Sequence, residues 1–363
     1  MVTRTIRELC SEVIDCPHSS PAWTESGKIV IRNTNIKNGR IDFSKPSFTD
    51  DEHFKARIRR VRPTAGDIVI TREAPMGDVG IIPDGVDCCL GQRMVLLRPN
   101  TSVCDNHYLL YCLQSPSVQH QISWSDGTGT TVSNLRIPHL EALKIPFVPL
   151  EKQREVSAIL TAIDEKIVKN EAINHHLERM AQAIFTELCS EGKSAVLSDI
   201  LTVCYGKDHK RLSDGQIPCY GSGGIMRYVD KPLYTGESVL IPRKGSLNNV
   251  LYVNEAFWTV DTMFYTQMTH PNVAKLAYFI VRNLDLAGMN VGSAVPSMTT
   301  TVLNSLEIVL PSDETLARFE DTVSPMFLQM QANNEESERL AKLRDALLPR
   351  LMSGELSVTE AAK

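Results

Sequence analysis

Residues 151–188 read EKQREVSAILTAIDEKIVKNEAINHHLERMAQAIFTEL, and residues 314–351 read ETLARFEDTVSPMFLQMQANNEESERLAKLRDALLPRL. In the first stretch Val156, Leu160, Ile163, Ile167, Asn170, Asn174, Leu177, Ala181, Ile184 and Leu188 step alternately by four and three residues. That is the period of a coiled-coil seam. Phe319, Val323, Met326, Met330, Asn333, Ser337, Leu340, Arg344, Leu347 and Leu351 repeat the same steps. The two stretches superimpose without a gap at an offset of 163 residues, starting at Gly129 on Gly292 and ending at Leu188 on Leu351. Such matching is expected where one unit has been used twice. Each stretch predicts a helix of roughly 50–60 Å at 1.5 Å per residue.

Both seams turn polar near their middle, at Asn170 and Asn174 in one and at Asn333 and Ser337 in the other. Two such helices, paired antiparallel about a local two-fold, would set the polar layers face to face, where a buried Asn fixes register at a cost in stability. The other reading keeps the helices apart, each on its own domain, with the Asn side chains exposed. Pro325 predicts a kink in the second helix or a start beyond it.

A globular unit precedes each helix. In the first, strands are predicted at Lys28–Arg32, Asp67–Thr71 and Met94–Leu97, a turn at Asn38-Gly39, and a helix over Tyr108–Ile122. In the second, Ser238–Ile241 and Asn249–Val253 read as strands and Val273–Leu284 as a helix. Gly66–Ile70 followed by Arg72 matches Gly236–Ile241 followed by Arg243. Each unit ends in a Gly/Ser/Thr-rich loop that feeds a proline-containing exit, 127–149 and 292–311. The predicted organisation is 1–150, a helix at 151–191, 192–312, a helix at 313–354, and a flexible tail at 355–363. The fold class is α+β: two α/β domains joined and separated by two long antiparallel coiled-coil helices with pseudo-two-fold symmetry.

The 363 residues suffice for two or three domains. With 38 basic and 43 acidic residues the net charge is -5, which argues against a protein that coats nucleic acid indiscriminately and leaves room for local basic patches. No apolar run is long enough for a membrane span. The amino-terminal stretch lacks the apolar core of a secretion signal. Nine cysteines in a long chain fit core thiols in a reducing cytoplasm better than a disulfide framework.

No P-loop, dinucleotide fingerprint, methyl-transfer motif or metal-ligand spacing is present, so neither a catalytic nor a metal site is expected. Asp164-Glu165-Lys166 has a spacing met in nucleases, but it lies on the helix with no preceding carboxylate placed to share a metal and reads as a solvated face. What remains is a set of donors. The first unit carries Lys55, Arg57, Arg59, Arg60 and Arg62, then Arg72 and Arg93, the run Arg32-Asn33, and Thr130 in its terminal loop. The second carries Lys207, Lys210 and Arg211, Tyr220, and a loop with Arg243, Lys244, Ser246 and Asn248. Lys and Arg neutralise phosphates, whereas Arg, Asn and Thr can also read base edges. One charge run is usually only a solvated face. Two clusters, one per repeated unit, point to double-stranded DNA.

The chain resembles the specificity subunit of type I restriction-modification enzymes over essentially its full length. Ile137–Gln153, with its IPFVPLEKQ run, resembles the exit of a target-recognition domain into the spacer helix, although Lys152 intrudes between Glu151 and Gln153. Leu306–Glu314 is a weaker second copy. Gly27–Gly39, Ile217–Ile225, Val239–Asn248 and the Leu347–Leu356 ending also resemble family segments. The resemblance implies a non-catalytic subunit that binds a bipartite site. Two modification subunits would bring S-adenosylmethionine and adenine methylation, and a motor-nuclease subunit would use ATP and Mg2+. The different-class alternative is a coiled-coil scaffold with two protein-binding domains and no DNA specificity. The flanks of the helices, including Ile159, Ile173 and Phe185 in the first and Leu316, Leu348 and Met352 in the second, are expected to be exposed apolar surface awaiting those partners.

Overall fold

The computed structural model describes residues 2–124, 134–289, 297–353 and 355–356. Two compact units emerge, one from 1–169 with 335–363 and one from 170–334. Two long helices, Leu150–Leu188 and Asp313–Ser353, each contribute one part to each unit.

In the first unit, Thr3–Thr5 pairs antiparallel with Lys144–Pro146, so the strands that begin and end the globular part are pinned together. The main sheet has four antiparallel strands in the order Cys10–Asp15, Met94–Pro99, Ile68–Thr71, Val79–Ile81. Alternate residues serve opposite faces, as strand geometry requires. Ile68, Ile70, Val95 and Leu97 join a core with Tyr108, Leu109 and Ile122, whereas Val69, Met94 and Leu96 join Ile31, Cys88 and Leu90 on the other face. Burial on both faces explains why these strands read as unbroken apolar runs. A smaller sheet, Ser47–Thr49, Lys28–Ile31 and Cys88–Leu90, is parallel between its last two strands. Asn38 and Gly39, at φ 47° and 81°, turn the hairpin Ile36–Lys37/Arg40–Ile41, the positive angles that a two-residue hairpin turn demands.

In the second unit, Lys193–Val196 pairs with Glu307–Leu310. Its six-stranded sheet runs in the order Leu201–Tyr205, Met263–Met268, Tyr234–Pro242, Leu251–Thr259, Asp214–Gly221, Gly224–Val229. The first four repeat the four strands of the first unit, in the same order and with the same antiparallel pairing. The duplication is therefore not confined to the helices. The last two form a hairpin whose first strand runs parallel to Leu251–Thr259.

Within the first unit the helical segments run antiparallel: Lys166 pairs with Glu336 at 3.0 Å and Asp164 with Arg344 at 2.7 Å. Val156, Leu160, Leu347 and Leu351 lie in the same core. Within the second, Asn170 Nδ2 donates to the Asn333 carbonyl at 3.3 Å, Asn174 Nδ2 to the Met330 carbonyl at 3.3 Å, and Asn333 Nδ2 to Asn174 Oδ1 at 2.7 Å. Asn170 and Asn333 are buried, as the paired reading requires. Ser337 is half-buried and belongs to the first unit.

Several expectations need correction. The helix over Tyr108–Ile122 is two helices, Asn106–Gln114 and Pro116–Trp124. Ser115 takes ψ 145°, because a following proline disfavours helical geometry at the residue before it. The second long helix starts at Asp313, so Pro325 lies inside it between buried Val323 and Phe327 and does not mark its start. Leu316, Leu348 and Met352 are buried, and Ile159 and Phe185 are half-buried; of the six flank residues only Ile173 is exposed, at 44%. The flanks pack on the globular part of their own unit, a choice that a helix read in isolation does not reveal. Asp164 is also no solvated residue. Its carboxylate accepts from Arg344 and from the Tyr111 hydroxyl, both at 2.7 Å, and its carbonyl accepts from Arg40. The second unit has an analogous lock, in which Glu178 accepts from Tyr278 and Arg282. The expected tail lies almost wholly outside the described residues.

Candidate nucleic-acid interface

Arg72 and Arg243 occupy equivalent places. Each follows the third strand of its four-stranded set. The Arg72 carbonyl accepts from Leu135 N–H at 3.0 Å and the Arg243 carbonyl from Met298 N–H at 2.9 Å. Leu135 and Met298 are 163 residues apart, the offset of the helices, and both are buried. The Arg72 N–H donates to the Arg93 carbonyl, and that of Arg243 to the Thr262 carbonyl. The same end of the sheet is thus built twice, by the exit of the first strand, the exit of the third, the entry of the second in the sheet order, and the segment just before the domain exit.

The side chains at that end differ. In the first unit the Arg72 guanidinium holds both Asp15 oxygens at 2.9 and 3.1 Å, the Leu135 carbonyl at 3.0 Å and Asn134 Oδ1 at 3.2 Å. Its side chain is 13% exposed. Arg57 is buried, donates to the carbonyls of Leu90, Ser19 and Pro17, and has its pKa lowered by that burial. Arg57 and Arg72 are therefore committed to the fold. Arg60 is exposed and donates to the Asp15 carbonyl at 3.2 Å, next to them. Arg93 is exposed, with φ 65°, and lies 3.5 Å from the Glu73 carboxylate. Asn33 reaches the loop after Arg72 by donating to the Ala74 carbonyl. Arg32 is exposed and stacks 5.2 Å from the centroid of the Trp23 ring. Lys55 and Arg59 are exposed near the end of the helix Asp51–Arg57 and form no ion pair among the described residues. Thr130 lies outside the described residues.

In the second unit the site gathers on the turn Thr259–Thr262. The N–H groups of Arg243 and Lys207 donate to the carbonyls of Thr262 and Thr259, and Val260 N–H to the Tyr220 carbonyl. Arg243 lies 5.4 Å from the centroid of the Tyr205 ring and donates to the Asp261 carbonyl at 3.1 Å. Tyr205 ends the first strand of the set, the place of Asp15 in the first unit. A ring in place of a carboxylate leaves the guanidinium charge uncompensated. Lys207, Lys244 and Ser246 are exposed, and neither lysine nor Arg243 forms an ion pair among the described residues. Asn248 is exposed but its Oδ1 accepts from Ala287 N–H. Tyr220 is buried, and its hydroxyl donates to Glu255 at 2.8 Å.

Trp23, Asp15 and Tyr205 escaped the sequence reading. Asp15 and Tyr205 act on arginines 57 and 38 residues away in the chain, and Trp23 stacks with Arg32, nine residues on. Among the described residues no group of His, Cys, Asp and Glu is placed to hold a metal, and no helix is long and apolar enough to cross a membrane.

The type I restriction modification DNA specificity domain family matches this sequence twice, at 20–179 and 195–339. The MjaIX specificity subunit of a Methanocaldococcus jannaschii type I restriction enzyme is 23% identical over 348 residues, covering 81% of this chain and 78% of that one. The putative MjaX specificity subunit of the same organism is 29% identical over 182 residues, covering 48% and 43%. The crystal structure of a type I restriction-modification S subunit from M. genitalium aligns with a TM-score of 0.58 at 17% identity, covering 96% of this chain and 95% of that one, which shows the fold. Twice-built sheet ends, each followed by a long helix, and two matches to one domain family lead to the same place: the chain belongs to the type I restriction modification DNA specificity domain family.

Proposed function

We propose that this chain is the recognition subunit of a type I restriction-modification system, without a catalytic site of its own, and that each unit reads one half of a bipartite double-stranded DNA site. The observation that carries this reading is the duplicated sheet end, one frame with two different sets of side chains. Uncompensated cations at Lys207, Arg243 and Lys244 suit phosphates and base edges despite the net charge of -5. Two modification subunits supply S-adenosylmethionine and methylate adenine, and a motor-nuclease subunit uses ATP and Mg2+. A bare protein scaffold is not favoured, because it gives no reason for a DNA specificity family match in both units.

The test is reconstitution. The chain, the modification subunit and S-adenosylmethionine should yield methylated adenines at one bipartite sequence, read by sequencing, with two modification subunits per chain by mass. Methylation by the chain alone, or by the modification subunit at the same sequence without it, refutes the reading. Replacing Lys244 with Ala should weaken binding evenly across sequences and reduce the salt slope of log K by about 0.9 if it meets one phosphate.

A further inference from the structure

The strands Asp214–Gly221 and Gly224–Val229 of the second unit form a hairpin with no counterpart among the four shared strands. Its tip is narrow and bare. Gly224 has φ +112°, and an added Cβ at Gly223 or Gly224 would meet nothing within 4 Å. Just beyond it Ile225 and Met226 are 45% and 58% exposed, apolar surface that the core does not use.

The tip is also anchored. Asn249 Nδ2 donates to the Ser222 carbonyl at 2.9 Å, and a Cβ at Gly245 would fall 3.0 Å from Ser222 Oγ. The tip therefore rests against the loop that carries Arg243, Lys244 and Ser246. On its other side, a Cβ at Gly221 would fall 2.5 Å from Met226 Sδ. The missing side chain at 221 leaves room for the Met226 thioether to lie against the backbone there.

A two-stranded ribbon fits the major groove of B-DNA, and the one apolar group on base edges there is the thymine methyl. Glycines at a ribbon tip allow close backbone approach. Cations beside an apolar tip match phosphates beside a methyl. We propose that the 221–226 tip enters the major groove of the half-site read by the second unit, and that Ile225 and Met226 select a T·A pair by contact with its methyl group. This rests on the DNA-reading function above. It adds a specificity element that is apolar and carries no charge.

The test uses the assembled complex of this chain with modification subunits on its mapped site. Each thymine is replaced in turn by deoxyuridine, which removes only the methyl. Wild type should bind about fourfold more weakly at one such position, the worth of one buried methyl. Ile225→Ala or Met226→Ala should bind the thymine site more weakly, lose sensitivity to deoxyuridine at that position, and keep the wild-type salt slope. Both side chains are exposed, and unchanged circular dichroism and complex mass verify folding. Gly221→Ala, which crowds Met226, should act in the same direction. The proposal is overturned if no thymine is sensitive in wild type, if the variants keep every sensitivity, or if they impair assembly with modification subunits and leave DNA preference intact. In each of those cases specific methylation persists and DNA reading stands, whereas a wild-type complex with no preferred site refutes DNA reading itself.

Discussion

Replacing Arg72 and Arg243 with Ala, one at a time, should give opposite results from equivalent positions. In the Arg72→Ala variant, Asp15 loses two hydrogen bonds of about 3 Å, and Leu135 and Asn134 lose their donors. The Asp15 side chain is 19% exposed and keeps His18 at 3.0 Å. We therefore expect about 3 kcal/mol of destabilisation in the first unit, the low end for a broken buried ion pair. In the Arg243→Ala variant, one bond to the Asp261 carbonyl and one exposed stack on Tyr205 disappear, a loss of about 1–2 kcal/mol. Its DNA affinity should fall by about 1–3 kcal/mol, or roughly 5- to 150-fold, if the guanidinium meets a base edge. Hydrogen exchange of the full chain reads the first effect unit by unit, with Leu135 N–H and its neighbours as reporters. Binding of the assembled complex to its mapped site reads the second. Arg72→Ala with native protection and an affinity loss matching Arg243→Ala would refute the claim that Asp15 has withdrawn Arg72 from recognition.

Asp164→Ala should destabilise the first unit by about 3 kcal/mol, because it removes the buried partner of the Arg344 guanidinium and of the Tyr111 hydroxyl and leaves Arg344 only the exposed Asp345; exchange in 106–114 and 335–353 should rise together. Asn333→Leu should cost about 1–3 kcal/mol by leaving Asn174 Oδ1 and the Gln329 amide without their partner. The double variant Asn174→Leu with Asn333→Leu should recover much of that loss in urea denaturation, and a purely additive loss would count against a coupled polar layer. Burial pushes the Cys10 and Cys88 thiols up to about 12, so at pH 8 only about one part in ten thousand is thiolate. Iodoacetamide should then spare these buried thiols in the native chain, label the half-buried Cys204 first, and reach all nine cysteines after denaturation.

The helices were legible because a heptad is a local pattern, and a repeat of 163 residues needs no tertiary knowledge. The pairing of Asn170 with Asn333 followed from placing equal polar layers at equal heights. The buried strand Ile68–Thr71 and the buried part Met94–Leu97 of its neighbour showed as apolar runs, and the match of Arg72 with Arg243 showed as a shared strand-then-arginine order. What each arginine does was not legible. That depends on whether Asp15 or Tyr205 stands at the end of the next-but-one strand of the sheet, some 57 or 38 residues away in the chain, and strand pairing alone brings them together. Arg57 looked like one cation among five, yet it is buried because the end of its helix faces three backbone carbonyls. The helix flanks looked like docking surfaces for partners because apolar periodicity says which face is buried without saying against what. Sequence sets spacing and polarity along one dimension, whereas compensation of a charge or cover of an apolar face is decided by what the fold places across from it.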